Sequence, residues 1–146
     1  ALAALALSAP GVRAESALPR PASLAEAAAA AAARGEPLVL LASLPGCPYC
    51  ERIRRSHLLP LQKELGGGVV QIDVGSPAAV VDFDGAAKTH EAIADALQAR
   101  FTPTVMFFGP DGLEIAERLV GAGIPDFYGA LLEQRLGAAR AQLRPR

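Results

Sequence analysis

The chain has 146 residues, a formal net charge of −1 at pH 7 and a sequence pI near 6.1. The length indicates a single domain. Nothing in this near-neutral charge suggests nucleic acid or an anionic membrane as a partner, so we expect no nucleic-acid partner.

The first residues resemble a targeting signal. Residues 1–7 contain only alanine and leucine, and this run is too short to span a bilayer. Val12-Arg13-Ala14 resembles the small-x-small pattern before a signal-peptidase cut. We interpret residues 1–14 as a signal-peptide remnant, although a frayed Ala/Leu helix is an alternative. The expected mature chain begins near Glu15, is exported to the periplasm and makes no stable membrane insertion.

A folded domain is predicted at residues 23–139, after a leader at residues 15–22 that contains two prolines. Ser23-Leu24-Ala25-Glu26 matches a capping box. The alanine-rich segment that follows favours a helix, and Gly35 is suited to end it. Residues 37–43 are apolar almost throughout, which predicts a central strand covered on both faces.

The only two cysteines follow this strand, in the segment Gly46-Cys47-Pro48-Tyr49-Cys50. Cys47 is the expected N-cap of a helix, and Pro48 takes the first position, where a missing N–H costs nothing. A C-x-x-C at a strand-to-helix junction is typical of thiol–disulfide active sites. A disulfide between Cys47 and Cys50 would close a very small loop and stabilise the fold little. A redox-active pair is therefore a better explanation than a structural disulfide.

Cys47 is the expected nucleophile, because a helix N-cap presents free N–H groups to its sulfur. The nearby arginines, Arg52, Arg54 and Arg55, should favour the thiolate further. Cys50 lies one turn into the helix, where we expect it to be buried and to resolve a mixed disulfide.

The helix is predicted to run towards Glu64 with a kink at residues 57–59, because Pro60 interrupts its hydrogen bonds. A second strand is predicted at residues 69–74. Residues 75–87 are predicted as a loop with room for a short helical piece.

The remaining predicted elements lie in the second half of the chain. They are a helix at residues 89–100, a strand at 105–108, a turn at 109–112 and an alternating, half-exposed antiparallel strand at 113–119. Gly121-Ala122-Gly123 should end this strand.

A last helix is predicted to open at Pro125, and residues 140–146 should form a basic, frayed tail. The apolar stripe of this helix is predicted to be Phe127, Leu131, Leu132 and Leu136. Together the elements predict an α/β fold with a central mixed sheet of about four strands, flanked by helices.

The order and spacing of these elements resemble the thioredoxin superfamily over residues 22–137. The matching elements are the strand before Cys-Pro-Tyr-Cys, the Thr102-Pro103-Thr104 segment, the Gly-Pro-Asp-Gly turn and a glycine before the final helix. The resemblance implies a thioredoxin fold in which Pro103 is cis and lies against the cysteines. It also implies that the backbone of Thr102 pairs with an extended substrate peptide.

Pro48 and Tyr49, between the cysteines, are assigned to substrate contact. For Tyr49 an equally good explanation is that tyrosine is simply tolerated in the first turn of a helix, without any contact to substrate. Cys-Pro-Tyr-Cys is familiar from glutaredoxins, whereas the segment from Thr102 onwards is more similar to exported thioredoxin-like reductases.

Two positions depart from the superfamily pattern. Its buried aspartate falls at Leu41 and the lysine partner near Val69, so both positions are apolar here. Water or another group would therefore have to carry protons to and from Cys50.

The sequence predicts an exported thiol–disulfide oxidoreductase that reduces protein disulfides through a Cys47/Cys50 dithiol–disulfide cycle. No cofactor beyond this cysteine pair is predicted, and a membrane thiol reductant is expected to regenerate the dithiol. Two alternatives stay open: a glutathione-dependent, glutaredoxin-like reductase and a copper-handling or assembly chaperone. His57 and His90 are expected to face solvent. They are the only residues that could complete a four-ligand zinc site with the cysteines, and no fixed spacing favours them, so no metal site is predicted.

Overall fold

The computed structural model describes residues 17–145, so the predicted signal peptide and its cut site lie outside the described residues. None of the helices in this range is long and apolar enough to cross a membrane. The elements are α1 Leu24–Ala33, β1 Leu38–Ser43, α2 Pro48–Ile53, a π-helical turn Arg54–Leu58, α3 Leu59–Leu65, β2 Val69–Asp73, β3 Ala79–Val81, β4 Ala87–Thr89, α4 His90–Ala96, β5 Thr104–Phe108, β6 Leu119–Val120 and α5 Pro125–Leu143.

Four of the strands form a mixed sheet in the order β2-β1-β5-β6. β1 pairs in parallel with β2 and antiparallel with β5, and β6 pairs antiparallel with β5. Helices cover both faces of the sheet. The predicted α/β architecture with a four-stranded mixed sheet is therefore confirmed.

β1 is buried along its whole length, as its apolar sequence predicts. Alternate side chains of a strand point to opposite faces. Val39 and Leu41 accordingly pack in the cluster formed with α5, the π-turn and α3. Leu40 and Ala42 pack in the cluster formed with α1 and α4. One short strand thus joins both halves of the core.

The expected kink before Pro60 takes the form of the π-helical turn, and the helix continues through Leu65. A proline removes one backbone donor, and a wider turn is one way in which a helix accommodates the loss. The turn places His57 against Tyr128, with ring centroids 5.0 Å apart. His57 is half-buried, so the expectation that it faces solvent is wrong, and burial lowers its pKa.

Residues 75–87 contain no helical piece. They form a separate two-stranded antiparallel sheet from β3 and β4, with Val80 opposite Lys88. The turn at Asp82–Gly85 joins the two strands, and Gly85 adopts a positive φ of 85°. The aspartates and glycine that suggested a loop belong to this tight connection.

The predicted strand at residues 113–119 is much shorter in the structure, where β6 contains only Leu119 and Val120. An isolated bridge joins Phe108 to Glu114 before the chain leaves the sheet. The guanidinium of Arg118 pairs with Glu114 and donates to the carbonyl of Leu97 at 2.9 Å. These side-chain contacts fix the segment before β6 in place, whereas the alternating pattern predicts that the hydrogen bonds of a β-ladder would do so.

The buried stripe of α5 also differs from the prediction. Phe127 and Leu131 are exposed. The buried residues of this helix are Tyr128, Leu132, Leu136 and Ala139. The helix continues to Leu143, and Arg140 donates two hydrogen bonds to Glu36, so the first residues of the predicted frayed tail are ordered.

The described part of the predicted leader packs against the domain. Leu18 is 2% exposed and belongs to the core cluster that contains Leu41. The carbonyl of Pro19 accepts the N–H of Gln71 at 2.9 Å, beside the edge strand β2. Residues 17–22 therefore act as part of the fold rather than as a free linker.

His90 is 3% exposed, so its predicted solvent-facing position is wrong. Its Nδ1 accepts the backbone N–H of Asp73 at 3.0 Å, which ties the start of α4 to the end of β2. Burial lowers the pKa of His90, opposed by the nearby Asp73 carboxylate and reinforced by Arg20. The neutral imidazole is the form that can accept this hydrogen bond.

We predict that Leu18→Ala lowers the free energy of unfolding by about 2–4 kcal/mol, because it leaves a cavity in the main core. Equilibrium urea unfolding of the oxidised protein, followed by circular dichroism, measures the change. Leu113→Ala is the matched control, since Leu113 is 64% exposed and its truncation should change stability by less than about 0.5 kcal/mol. Equal effects of the two variants would contradict the packing of the N-terminal segment.

We predict that His90 makes stability depend on pH. Its folded pKa lies below the ordinary value of 6.5, so the unfolded chain takes up a proton first as pH falls. The stabilising contribution is complete above about pH 6.5 and is lost as the pH falls below it. His90→Asn keeps an acceptor oxygen near the position of Nδ1 but cannot be protonated.

Urea unfolding at about pH 7.5 and about pH 5.5 measures this loss. The variant should lose less stability than the wild type across this interval. Some loss remains in both proteins, because burial also lowers the pKa of His57. An unchanged loss in His90→Asn would show that His90 is not the linked group.

Candidate active site

The two cysteines lie at the junction between β1 and α2. Cys47 is the N-cap of α2, and its Sγ accepts the backbone N–H of Cys50 at 3.3 Å. The two residues are joined by a disulfide, with their Cα atoms 5.3 Å apart. Cys47 is partly exposed, whereas Cys50 is only 1% exposed. The sulfur that a substrate can reach is therefore that of Cys47.

Thr102 lies beside Cys47, although 55 residues separate the two in the sequence. The hydroxyl of Thr102 donates to Cys47 Sγ at 3.8 Å. The peptide bond between Thr102 and Pro103 is cis. Pro103 is buried, and its carbonyl accepts the N–H of Gly121 at 2.7 Å, which connects this loop to the segment after β6.

Pro48 and Tyr49 are both exposed on the surface next to Cys47. Tyr49 is 58% exposed, and the guanidinium of Arg52 lies 5.1 Å from its ring centroid. This cation–π contact holds the ring on the outer face of α2. Both residues are accessible to a molecule that approaches Cys47.

Arg54 is the most enclosed charged group near the cysteines, with a side chain 11% exposed. It donates to Ser43 Oγ at 2.8 Å and to Gln71 Oε1 at 3.0 Å. It also pairs with Glu51 at 2.6 Å. These bonds tie the CxxC helix to the ends of β1 and β2, so the guanidinium is fixed relative to the sheet.

The network continues from Gln71 to Asp73 and Arg20. Gln71 donates to Asp73 Oδ1 at 2.7 Å, and Arg20 makes a two-point ion pair with the same carboxylate. Burial raises the pKa of Asp73, but the hydrogen bonds from Arg20 and Gln71 and the charge of Arg20 together outweigh burial and leave the pKa below its usual value. The carboxylate is therefore ionised near neutral pH.

The sequence does not single out Ser43, Gln71, Asp73 and Arg20 as site residues. Two signals were present: Ser43 ends an apolar strand, and Gln71 is a polar residue within another. Their significance depends on the parallel pairing of β1 with β2, which places Ser43 opposite Asp73.

Leu41 and Val69, the positions that the resemblance aligns with the superfamily's ion pair, are both fully buried in the same apolar cluster. Tyr128 belongs to this cluster too, and burial raises the pKa of its phenol well above the ordinary value. Its hydroxyl is buried without a hydrogen-bond partner among the described residues. The interior next to the CxxC helix is thus apolar where the superfamily has charges.

Within residues 17–145, no group of three or more His, Cys, Asp or Glu side chains is arranged to hold a metal ion. His57 packs on Tyr128, and His90 is bonded to the backbone of Asp73. Neither contact brings a histidine to the cysteines, so no third ligand for the copper-handling alternative is found in this range.

Several solved structures resemble this chain. A thioredoxin-fold protein from Helicobacter pylori matches 87% of the chain and 81% of its own length, at 16% identity and a TM-score of 0.64. The periplasmic thioredoxin SoxS from Paracoccus pantotrophus matches 71% of the chain and 99% of its own, at 22% identity and a TM-score of 0.42. Thioredoxin O2 from Arabidopsis thaliana matches 84% of the chain and 96% of its own length, at 22% identity and a TM-score of 0.49. At these identities the likeness concerns the fold alone, and the two scores below 0.5 add nothing to it.

The comparison with curated protein sequences gives no match. A family model described as a thioredoxin-like domain matches residues 24–136, from the start of α1 to the buried Leu136 of α5. This match covers more than half of the chain and contains both cysteines and the cis proline. The chain therefore belongs to the thioredoxin-like domain family.

Proposed function

We propose that the protein is a thiol–disulfide oxidoreductase that reduces protein disulfides. The observation that carries this proposal is the asymmetric Cys47–Cys50 pair. One sulfur is partly exposed and lies beside Thr102, the residue before cis Pro103, while its partner is buried in the first turn of α2. A disulfide that closes so small a loop contributes little to stability, so we attribute its role to reversible reduction and oxidation.

The cycle starts from the reduced pair. The Cys47 thiolate attacks a substrate disulfide, forms a mixed disulfide and releases one substrate thiol. Cys50 then attacks the sulfur of Cys47 and releases the second substrate thiol. The protein leaves the cycle with the Cys47–Cys50 disulfide and the substrate has gained two electrons.

Two contacts support Cys47 as the attacking residue. The N–H of Cys50 points at Cys47 Sγ, and a backbone donor in this position stabilises the thiolate. The Thr102 hydroxyl is a second donor to the same sulfur. A thiolate with these donors should have a pKa below the value of about 8.5 for a free cysteine.

An extended peptide is the substrate form that this surface suits. Phe101 precedes Thr102, is 67% exposed and lies close to Gly121. Tyr49, which lies between the two cysteines in the sequence, presents a second exposed ring. Exposed aromatic rings on the segments that carry Cys47 and Thr102 favour a partner with apolar side chains next to its disulfide.

The proposed location is the periplasm, and the basis for it is the signal-like sequence of residues 1–14. A reductase in that oxidising compartment needs a source of electrons, and a membrane thiol reductant is the partner proposed to regenerate the dithiol. Isolation of the Cys50→Ser variant from its host, with identification of what remains bound to Cys47, tests substrate and direction together. Recovery of the protein only as the oxidised form, even with membranes intact, would contradict the reductase direction.

We predict that both cysteines are needed for catalysis but only Cys47 for attack. With dithiothreitol as reductant, the wild type should accelerate insulin reduction, and Cys47→Ser and Cys50→Ser should both fall to the uncatalysed background. Cys50→Ser should accumulate a covalent mixed disulfide that mass spectrometry detects, whereas Cys47→Ser should not, because its remaining sulfur is buried.

The glutathione-dependent alternative is favoured by the Cys-Pro-Tyr-Cys tetrapeptide, and the same variants separate it. A monothiol mechanism needs Cys47 but not Cys50. Retained reduction of a glutathione mixed disulfide by Cys50→Ser, together with no acceleration of insulin reduction by the wild type, would replace the proposed function with this one.

A further inference from the structure

A cavity of about 520 Å³ lies beside Cys47. Its walls come from the loop after β1, the first turns of the CxxC helix, the end of β2 and the N-terminal segment. Among the described residues, Thr102 and Pro103 are not part of its lining, so it is distinct from the surface assigned to the peptide. Small-molecule sites commonly measure about 300–1,000 Å³, and this cavity falls within that range.

The charges that line the cavity are unequal. Three are guanidinium groups and two are carboxylates; they are Arg20, Arg54, Arg55, Glu51 and Asp73. Asp73 is paired with Arg20, and Glu51 is shared between Arg54 at 2.6 Å and Arg55 at 2.8 Å. One positive charge in the lining is therefore left without a counter-charge.

The two arginines that share Glu51 differ in freedom. Arg54 is nearly buried and held by Ser43, Gln71 and Glu51. The Arg55 side chain is 67% exposed, so it can turn towards a ligand at little cost. A nearly buried guanidinium next to an exposed one is suited to receive one carboxylate, which a guanidinium can bind through two parallel hydrogen bonds.

We propose that this cavity binds the carboxylate of a small disulfide whose sulfur reacts with Cys47. Leu44 and Pro45, which also line the cavity, offer apolar contact to the methylene groups between carboxylate and sulfur. The inference rests on the proposed chemistry of Cys47 and adds a second substrate class, low-molecular-weight disulfides with carboxylate groups.

The reaction is balanced by the cysteine pair. Cys47 sulfur bonds to one sulfur of the small disulfide, the original sulfur–sulfur bond breaks, and one thiolate leaves. Cys50 sulfur then bonds to Cys47 sulfur and the second thiolate leaves. The small disulfide gains two electrons, the dithiol loses two, and the two cysteine protons end on the two released thiols.

The test compares three small disulfides of similar length: dithiodipropionate, which is anionic, hydroxyethyl disulfide, which is neutral, and cystamine, which is cationic. The rate at which each oxidises the reduced protein is followed by acid quenching, alkylation and mass spectrometry, since the chain contains no Trp to report the change. Each rate is divided by the rate of the same disulfide with dithiothreitol, which removes differences in intrinsic reactivity.

The normalised rate should be about three- to tenfold higher for dithiodipropionate than for hydroxyethyl disulfide, and lowest for cystamine. Arg55→Gln should reduce this charge preference, and added salt should reduce it in the wild type. Arg34→Gln is the matched control. It removes one exposed arginine near Gly67 and Gly68, before β2 and away from the cavity, and should leave the preference unchanged.

Equal normalised rates for the three disulfides would overturn the inference, and so would equal losses of preference in Arg55→Gln and Arg34→Gln. In either case a wild type that still reduces insulin would leave the proposed function in place. A reduced protein that reacts with none of the disulfides and does not reduce insulin would remove the proposed function and the inference together.

Discussion

The complete burial of β1 is the constraint on which the site depends. Its residues, Leu38–Ser43, lie between a parallel and an antiparallel neighbour, with helices on both faces. Shifting β1 by one residue would exchange its two apolar faces and break both cores, so the strand has one register. The position of the end of β1 is therefore fixed, and the short loop after it connects this end to Cys47 at the start of α2.

The same register explains the polar network. The carboxyl ends of parallel strands meet at one edge of a sheet, so Ser43 at the end of β1 lies opposite Asp73 at the end of β2. Gln71 lies on the same strand as Asp73, and Arg54, at the start of the π-helical turn after α2, bonds to both Gln71 and Ser43. The charged residues that line the cavity thus lie at the end of β2 or on the segments packed beside the ends of β1 and β2.

Replacement of the superfamily's ion pair by Leu41 and Val69 changes the energetics of the interior. A buried ion pair loses hydration on folding, and its mutual attraction offsets that free-energy cost only with good geometry, whereas burial of two apolar side chains is favourable by itself. The polar interactions near the cysteines instead lie at the ends of β1 and β2, where Arg54 bonds to Ser43 and Gln71, and Gln71 bonds to Asp73. The charged groups therefore lie in the cavity lining beside Cys47, whereas the interior around Leu41 and Val69 is apolar.

Local patterns in the sequence determined the strongest elements: the capping box at Ser23, the buried strand β1 and the N-cap position of Cys47. These depend on neighbouring residues and on one hydrophobic period, so no tertiary information was needed. The strand predicted from alternation at residues 113–119 is wrong over most of its length, because Arg118 bonds to Glu114 within the segment and to the carbonyl of Leu97 outside the hairpin.

The tertiary structure alone decided which distant residues meet. His90 is buried because β2 offers it a backbone donor, and Arg20 belongs to the site because the N-terminal segment packs along that strand. The contact between Thr102 and Cys47 likewise depends on chain segments 55 residues apart, although the resemblance implied it. The sequence by itself determined the reactive pair and the strand that presents it, because both are local. The cavity beside the pair arises from packing between segments far apart in the chain, which no local pattern encodes.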